Sequence, residues 1–379
     1  MSTPPGRRTA ARAGLVALLL ASAGTACSQG DPQWRELRGW AHEATLAHGD
    51  VVAYDQVAAS TGPGTLSWVT RAAGTGEGLS YWEVHDGEEP REQPLAMPRD
   101  PVVIPVDVAG DGDDGFVAAG VARERSNGEN TGLLVWRGRV GDDEVRPERL
   151  GTDVVGNGAV PGVVTVARAG GTDLVVGAAD GGAAAWVAAD GGSFTTSVLD
   201  LGLDDDLASV DVTGLGDTLV LAGVDASGAG HLWTSTDGEA WTPVEADNLP
   251  TQLTSVTVLA PLAGDGAGDD VALAWTAGGE GGEGAPRSGT SAAIQRFDGE
   301  VLTDQGVIGA RPEDGIAAFA LTGAALSPDD RLVVVGRTTP GDDSTVPMVW
   351  VRERDDAWEP STQPQLTGRI GYQFRAVTT

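Results

Sequence analysis

Three aspartates stand close enough to share a cation. Asp107, Asp111 and Asp113 fall within the run Asp107-Val108-Ala109-Gly110-Asp111-Gly112-Asp113-Asp114-Gly115. Closely spaced carboxylates on a glycine-rich turn are the oxygen donors a hard ion such as calcium takes. The competing reading is a solvated acidic hairpin. Gly264-Asp265-Gly266-Ala267-Gly268-Asp269-Asp270 repeats the pattern without its first member. Other chemistry is thinly supplied. The histidines His42, His48, His85 and His231 show no metal spacing, and a single cysteine, Cys27, makes a zinc site a poor reading. A nucleophile elbow and a strand-to-helix phosphate loop are both missing.

The other pattern of interest is a turn. His231-Leu232-Trp233-Thr234-Ser235-Thr236-Asp237-Gly238-Glu239-Ala240-Trp241 runs from an apolar strand into a tip with a short carboxylate and a glycine. There the aspartate can accept backbone N–H groups and the glycine supplies a positive φ. Ser235, Asp237, Gly238 and Trp241 resemble the Asp-box (BNR) repeat of sialidase-like β-propellers, in a compact variant with Gly238 directly after the aspartate. In that family the box pins a peripheral hairpin away from any active site. The resemblance therefore implies a fold, not an activity.

The motif recurs with decay. Copies surround Trp82, Trp136, Trp186, Trp233, Ile294 and Trp350, a period of about fifty residues, as repeat architectures require. Asp86, Asp190 and Asp298 occupy the turn in three of them. Each unit divides into four short strands; in the fourth these are 208–212, 218–223, 231–235 and 241–244. Continuous apolar runs such as Leu332-Val333-Val334-Val335 predict strands buried on both faces. The expected fold is all-β: one propeller of about six four-stranded blades over residues 44–379. The alternating tail Gly371–Thr379 would close it by pairing with the other end of the chain, and a seventh blade is the runner-up. The repeated indoles read as packing between blades. Trp34, Trp40, Trp68 and Trp275 fall outside that register and are the more plausible contact aromatics among the indoles, with core the favoured reading for them as well.

The N-terminus reads as an export signal. Arg7, Arg8 and Arg12 precede the apolar run Ala13–Ala23, too short to span a bilayer that needs about 20 residues. Gly24-Thr25-Ala26-Cys27 then resembles a bacterial lipobox, which implies cleavage after residue 26, lipid on Cys27 and a tether over 27–43. A plain secretory signal is the alternative. The chain has 24 basic residues, all arginine, against 55 acids, for a net charge of −31. Such a surface repels phosphate backbones and anionic headgroups, so nucleic acid is excluded and membrane attachment falls to the lipid alone. The lysine-free, Ala-, Gly- and Asp-rich composition resembles high-GC, actinobacterial-type coding.

The resemblance would also allow a sialidase-like glycan hydrolase, which needs an arginine triad and a tyrosine–glutamate pair. Only Tyr54, Tyr81 and Tyr372 are present, and Val103-Ile104-Pro105 lacks the family's early arginine. The reading of the whole is a monomeric, non-catalytic binding or scaffold propeller with a protein or glycan ligand. A degenerate hydrolase and a calcium-stabilised adhesion propeller are the alternatives.

Overall fold

A computed structural model of the chain describes residues 54–360 apart from 63–64, 73–77, 86–89, 99–101, 111–114, 125–127, 153–162, 180–181, 204–205, 263–269, 279–289, 311–317, 327–330, 340–345 and 353–357. Among the described residues the regular structure is strand throughout, in six four-stranded antiparallel sheets. Sheet I holds β1 (Tyr54–Gly62), β2 (Thr65–Ala72), β3 (Leu79–His85) and β4 (Arg91–Leu95). Sheet II holds β5 (Val102–Gly110), β6 (Gly115–Arg123), β7 (Asn130–Arg139) and β8 (Glu148–Leu150). Sheet III holds β9 (Val163–Ala169), β10 (Thr172–Ala179), β11 (Gly182–Ala189) and β12 (Thr195–Val198). Sheet IV holds β13 (Leu207–Leu215), β14 (Thr218–Asp225), β15 (Gly230–Ser235) and β16 (Thr242–Pro243). Sheet V holds β17 (Ser255–Leu262), β18 (Asp270–Ala277), β19 (Ser291–Phe297) and β20 (Leu302–Gly309). Sheet VI holds β21 (Ala318–Leu326), β22 (Leu332–Thr339), β23 (Val346–Arg352) and β24 (Trp358–Pro360).

Every sheet is a simple meander in chain order. The first strands lie side by side: β1 beside β5, β5 beside β9, and so on to β17 beside β21, with β1 also approaching β17. Burial follows from that arrangement. Second strands such as β6 and β14 are buried along almost their whole length, while the outer strands β12 and β16 are exposed. A sheet sandwiched between two others must be apolar on both faces, which is why the second-strand runs do not alternate.

The cores lie between consecutive sheets. Tyr81, Phe116 and Trp136 join I to II; Val117, Val175 and Trp186 join II to III; Leu174, Leu219 and Trp233 join III to IV. Leu232, Val256 and Trp275 continue from IV to V, and Ile294, Phe319 and Trp350 from V to VI. Six sheets stacked face to face with their first strands gathered together form a β-propeller architecture.

The repeated indoles Trp82, Trp136, Trp186, Trp233 and Trp350 sit at one position of the third strands and are buried. The second strand makes room for them: a Cβ at Gly223 would come within 3.1 Å of the Trp233 ring. Trp68 and Trp275, the off-register indoles, are core residues, as the favoured reading has them, each 0% exposed. Both lie on second strands, and Trp68 pairs across the sheet with Trp82 at 6.0 Å between ring centroids. Trp34, Trp40, Cys27, the tether and the 371–379 tail lie outside the described residues.

The turn after β15 shows how the aspartate works. Asp237 Oδ1 accepts the N–H groups of Glu239 and Ala240, both at 2.9 Å, and the Ser235 hydroxyl at 3.0 Å. Ser235 Oγ in turn accepts the N–H of Gly238 at 2.9 Å, with Gly238 at φ 75°. The Ala240 and Glu239 amides hold the Asp237 carboxyl below the usual carboxylate range. Asp298 repeats the device on Glu300 and Val301, at 2.9 and 2.7 Å. Asp190 differs: it takes the left-handed conformation itself, at φ 48°. Asp86 lies outside the described residues. Removing such a cap costs about 1 kcal/mol, so Asp237→Ala is expected to lower the melting temperature by a few degrees, measured by circular dichroism, and an unchanged transition would count against the role.

Candidate functional site

Two of the junctions between sheets share a lock. In sheet II the indole N–H of Trp136 donates to the carbonyl of Ala96, just past β4 of the preceding sheet, at 2.8 Å. In sheet III Trp186 does the same to Gly151, just past β8, also at 2.8 Å. Each bond satisfies a buried donor and ties one sheet's outer link to the next sheet's third strand.

Between sheets III and IV this lock is open. Trp233 holds the equivalent position but makes no hydrogen bond to the described residues of the link that follows β12, and a groove of about 450 Å³ lies there instead. Its walls are Asp200, Leu201, Gly202 and Leu203 of the link, His231, Leu232 and Trp233 of β15, Trp241, Pro243 and Val244 around β16, and Leu249. Volumes of this order accommodate small ligands. Trp241 is half-buried and its indole nitrogen has no partner among the described residues.

His231 is the polar feature that separates this copy from the others. At the place two residues before the indole the other copies carry Ser80, Leu134, Ala184, Ala292 and Met348. The ring stacks on Trp233, with centroids 5.5 Å apart and planes 24° from parallel. Its Nε2 is 2.8 Å from Asp225 Oδ2. Asp225 Oδ1 meanwhile accepts the N–H and hydroxyl of Ser227 and the N–H of Ala229, at 2.7 to 3.0 Å. Burial opposes ionisation of Asp225, but the hydrogen bonds from His231, Ser227 and Ala229 win and hold it well below the usual carboxylate range. An ionised Asp225 makes Nε2 the donor and leaves Nδ1 as the ring's remaining polar atom.

Asp107 belongs to a different constellation. One of its oxygens accepts the N–H of Val108 at 2.8 Å; the other accepts the Val166 N–H of the next sheet at 2.7 Å and lies 3.0 Å from the Thr165 hydroxyl. Asp211 repeats the arrangement one sheet on, accepting the N–H groups of Val212 and Val258 and lying 2.6 Å from Thr165 Oγ1. The first strands are not paired into a common sheet, so these carboxylates satisfy edge N–H groups that the ladders leave over. Burial, then the nearby Asp211, pushes the Asp107 carboxyl up to about 7; burial raises Asp211 as well. Both oxygens of Asp107 are thus occupied by the protein itself. Asp111 and Asp113 lie outside the described residues.

A tyrosine–glutamate pair exists, where the sequence suggested none in a usable context. The Tyr81 hydroxyl donates to Glu83 at 2.7 Å, with Ser67 Oγ 2.9 Å from the phenol. His85 and Arg91 contact the other Glu83 oxygen at 2.8 and 2.9 Å. Tyr81 and Glu83 are each 0% exposed, and the Phe116 ring covers the phenol at 3.9 Å. The described arginines do not gather on this pair beyond Arg91; Arg137 and Arg168 instead converge on Asp173 at the junction of sheets II and III.

No family model and no curated protein matches the sequence. Among solved structures the fold is similar to AofleA from Arthrobotrys oligospora, at 11% identity and TM-score 0.49 over 85% of this chain and 89% of that one. It is similar also to the fucose-recognising lectin of Aleuria aurantia, a six-bladed β-propeller, at 9% identity and TM-score 0.46 over 83% and 97%. A third is the Trypanosoma rangeli sialidase, at 12% identity and TM-score 0.47, over 80% of this chain and 55% of that one.

Proposed function

We propose that this protein is an extracytoplasmic, lipid-anchored, non-catalytic binding propeller that takes its ligand in the groove between sheets III and IV. The observation that carries the reading is the groove itself: beside an indole N–H that lacks the carbonyl given to Trp136 and Trp186, apolar and aromatic walls and a histidine held by Asp225 stand around the space. Concave surfaces that combine apolar side chains with a few placed polar groups are the usual form of a ligand site. The six sheets would be the six blades of one closed ring, with the chain's ends completing the closure.

The reading as a binding protein rather than a hydrolase draws on the Tyr81–Glu83 pair, which is sealed beneath Phe116 and out of a substrate's reach. A thermal-shift screen of small molecules tests it. Stabilising compounds are expected to lose their effect on Trp241→Ala, and hits indifferent to that change, or turnover of a chromogenic glycoside, would contradict it.

The address rests on the export signal ending at Cys27. Cys27→Ala is expected to move the protein from the membrane fraction to the soluble extracytoplasmic fraction. Unchanged partitioning would refute the lipid anchor and favour a plain secretory signal, without touching the groove.

A further inference from the structure

We infer that the groove between sheets III and IV recognises a neutral, hydroxyl-bearing ring, a saccharide, held by the indole N–H of Trp233 and by Nδ1 of His231. The inference rests on the groove being the ligand site and adds the chemistry of what fills it.

Trp233 is 2% exposed, yet its N–H has no acceptor among the described residues, while the same atom in Trp136 and Trp186 is satisfied by a link carbonyl. A ligand that fills the groove shuts this N–H off from water, and an enclosed donor left unpaired is costly, so the ligand gains by bringing an oxygen. At His231, with Nε2 committed to Asp225, Nδ1 is the ring atom left to meet a ligand. A hydroxyl group both accepts and donates, so neighbouring hydroxyls on one ring can meet both atoms.

Charge narrows the class. The groove's walls contain no arginine, the chain has no lysine, and Asp200 stands at the rim of a protein of net charge −31. A carboxylate or phosphate would enter without a counter-charge and against the field. Leu201, Leu203, Pro243, Val244 and the half-buried Trp241 supply apolar surface for the C–H face of a ring. Bare hydrocarbon would use that surface but leave the two polar groups unpaired.

Calorimetric titration of the mature protein with methyl glycosides of galactose, mannose, glucose and fucose tests the inference, with glucuronate, N-acetylneuraminate and choline as charged comparators. At least one neutral glycoside is expected to bind. Trp233→Phe, which keeps a ring and removes the N–H, should weaken it about tenfold, and His231→Leu, the residue type the second copy carries, by a similar factor. Melting curves of both variants confirm that they fold. If a charged comparator binds, no neutral glycoside does, and His231→Leu removes that binding, the saccharide class is overturned while the groove reading stands. Neutral glycoside binding that neither variant weakens would overturn the assignment to this groove. Absence of binding by every probe also overturns the saccharide class.

Discussion

Glu83→Ala is expected to destabilise the protein by about 3–5 kcal/mol, the range for breaking a buried charge network from one side. Glu83 is fully buried and is the common acceptor for the Tyr81 hydroxyl, His85 and Arg91. Its removal strands a buried phenol and a guanidinium whose charge was balanced by that carboxylate. Tyr81→Phe makes the contrast. It deletes one donor while Arg91 and His85 still hold the glutamate, and the ring keeps its contact with Phe116. Its cost should be about 1 kcal/mol. Urea denaturation of both variants measures the difference. A cost below about 1 kcal/mol for Glu83→Ala would show that the cluster is not the anchor of sheet I that its geometry describes.

The second large effect is a dependence on pH centred on the first strands. Thr165 has a single hydroxyl hydrogen, but its oxygen lies within hydrogen-bond distance of both Asp107 and Asp211. One of the two contacts therefore needs a proton on a carboxyl. The Asp107 carboxyl, raised by burial and by Asp211 from 3.8 to about 7, is the group that keeps it. A carboxyl with a higher pKa folded than unfolded binds its proton more tightly in the native state. Its contribution to stability is thus fully present below about pH 4 and is lost as the pH rises through about 7. A displacement of one pH unit corresponds to about 1.4 kcal/mol, so the loss amounts to a few kcal/mol. Melting temperature is accordingly expected to fall by several degrees between pH 5 and pH 8. General repulsion in so acidic a chain acts in the same direction, and Asp107→Asn separates the two. The amide imitates the protonated carboxyl and should flatten the profile; if Asp107→Asn kept the full slope of the parent, the effect would belong to overall charge.

Much of the architecture was legible because it repeats. The recurring indole marks the third strand of five sheets, and Ile294 marks it in the other, where it is equally buried. Non-alternating runs such as 332–335 declared strands covered on both faces. The polar constellations were harder to read, because each depends on contacts between sheets that sequence order does not display. Asp107 stood out for its neighbours in the chain, Asp111 and Asp113, and suggested a cation. In space its partners are Thr165 and Val166, about sixty residues on. A signal for this was present. Val106-Asp107-Val108, Val164-Thr165-Val166, Val210-Asp211-Val212 and Val256-Thr257-Val258 place a short polar residue between two valines in four consecutive first strands.

Trp68 and Trp275 lie off the repeat register, and core is the favoured reading for them all the same; second strands are covered on both faces, so an indole there is core whichever copy it belongs to. His231 belongs to the turn whose regularity points to structure and not to a site. What distinguishes it is the comparison across copies, where four of the other five carry an apolar residue. Beside it the Trp233 N–H lacks the link carbonyl that Trp136 and Trp186 use, and the groove lies there.

The central claim is that this groove is where the protein binds. It is tested most directly by fluorine NMR of 5-fluorotryptophan-labelled protein, with resonances assigned through single Trp→Phe variants, during titration with a stabilising compound from the thermal-shift screen. The expected result is movement of the Trp233 and Trp241 resonances while those of Trp136 and Trp186, whose indoles are locked to link carbonyls, stay in place. Saturable binding that shifts other tryptophans and leaves Trp233 and Trp241 unmoved would contradict it.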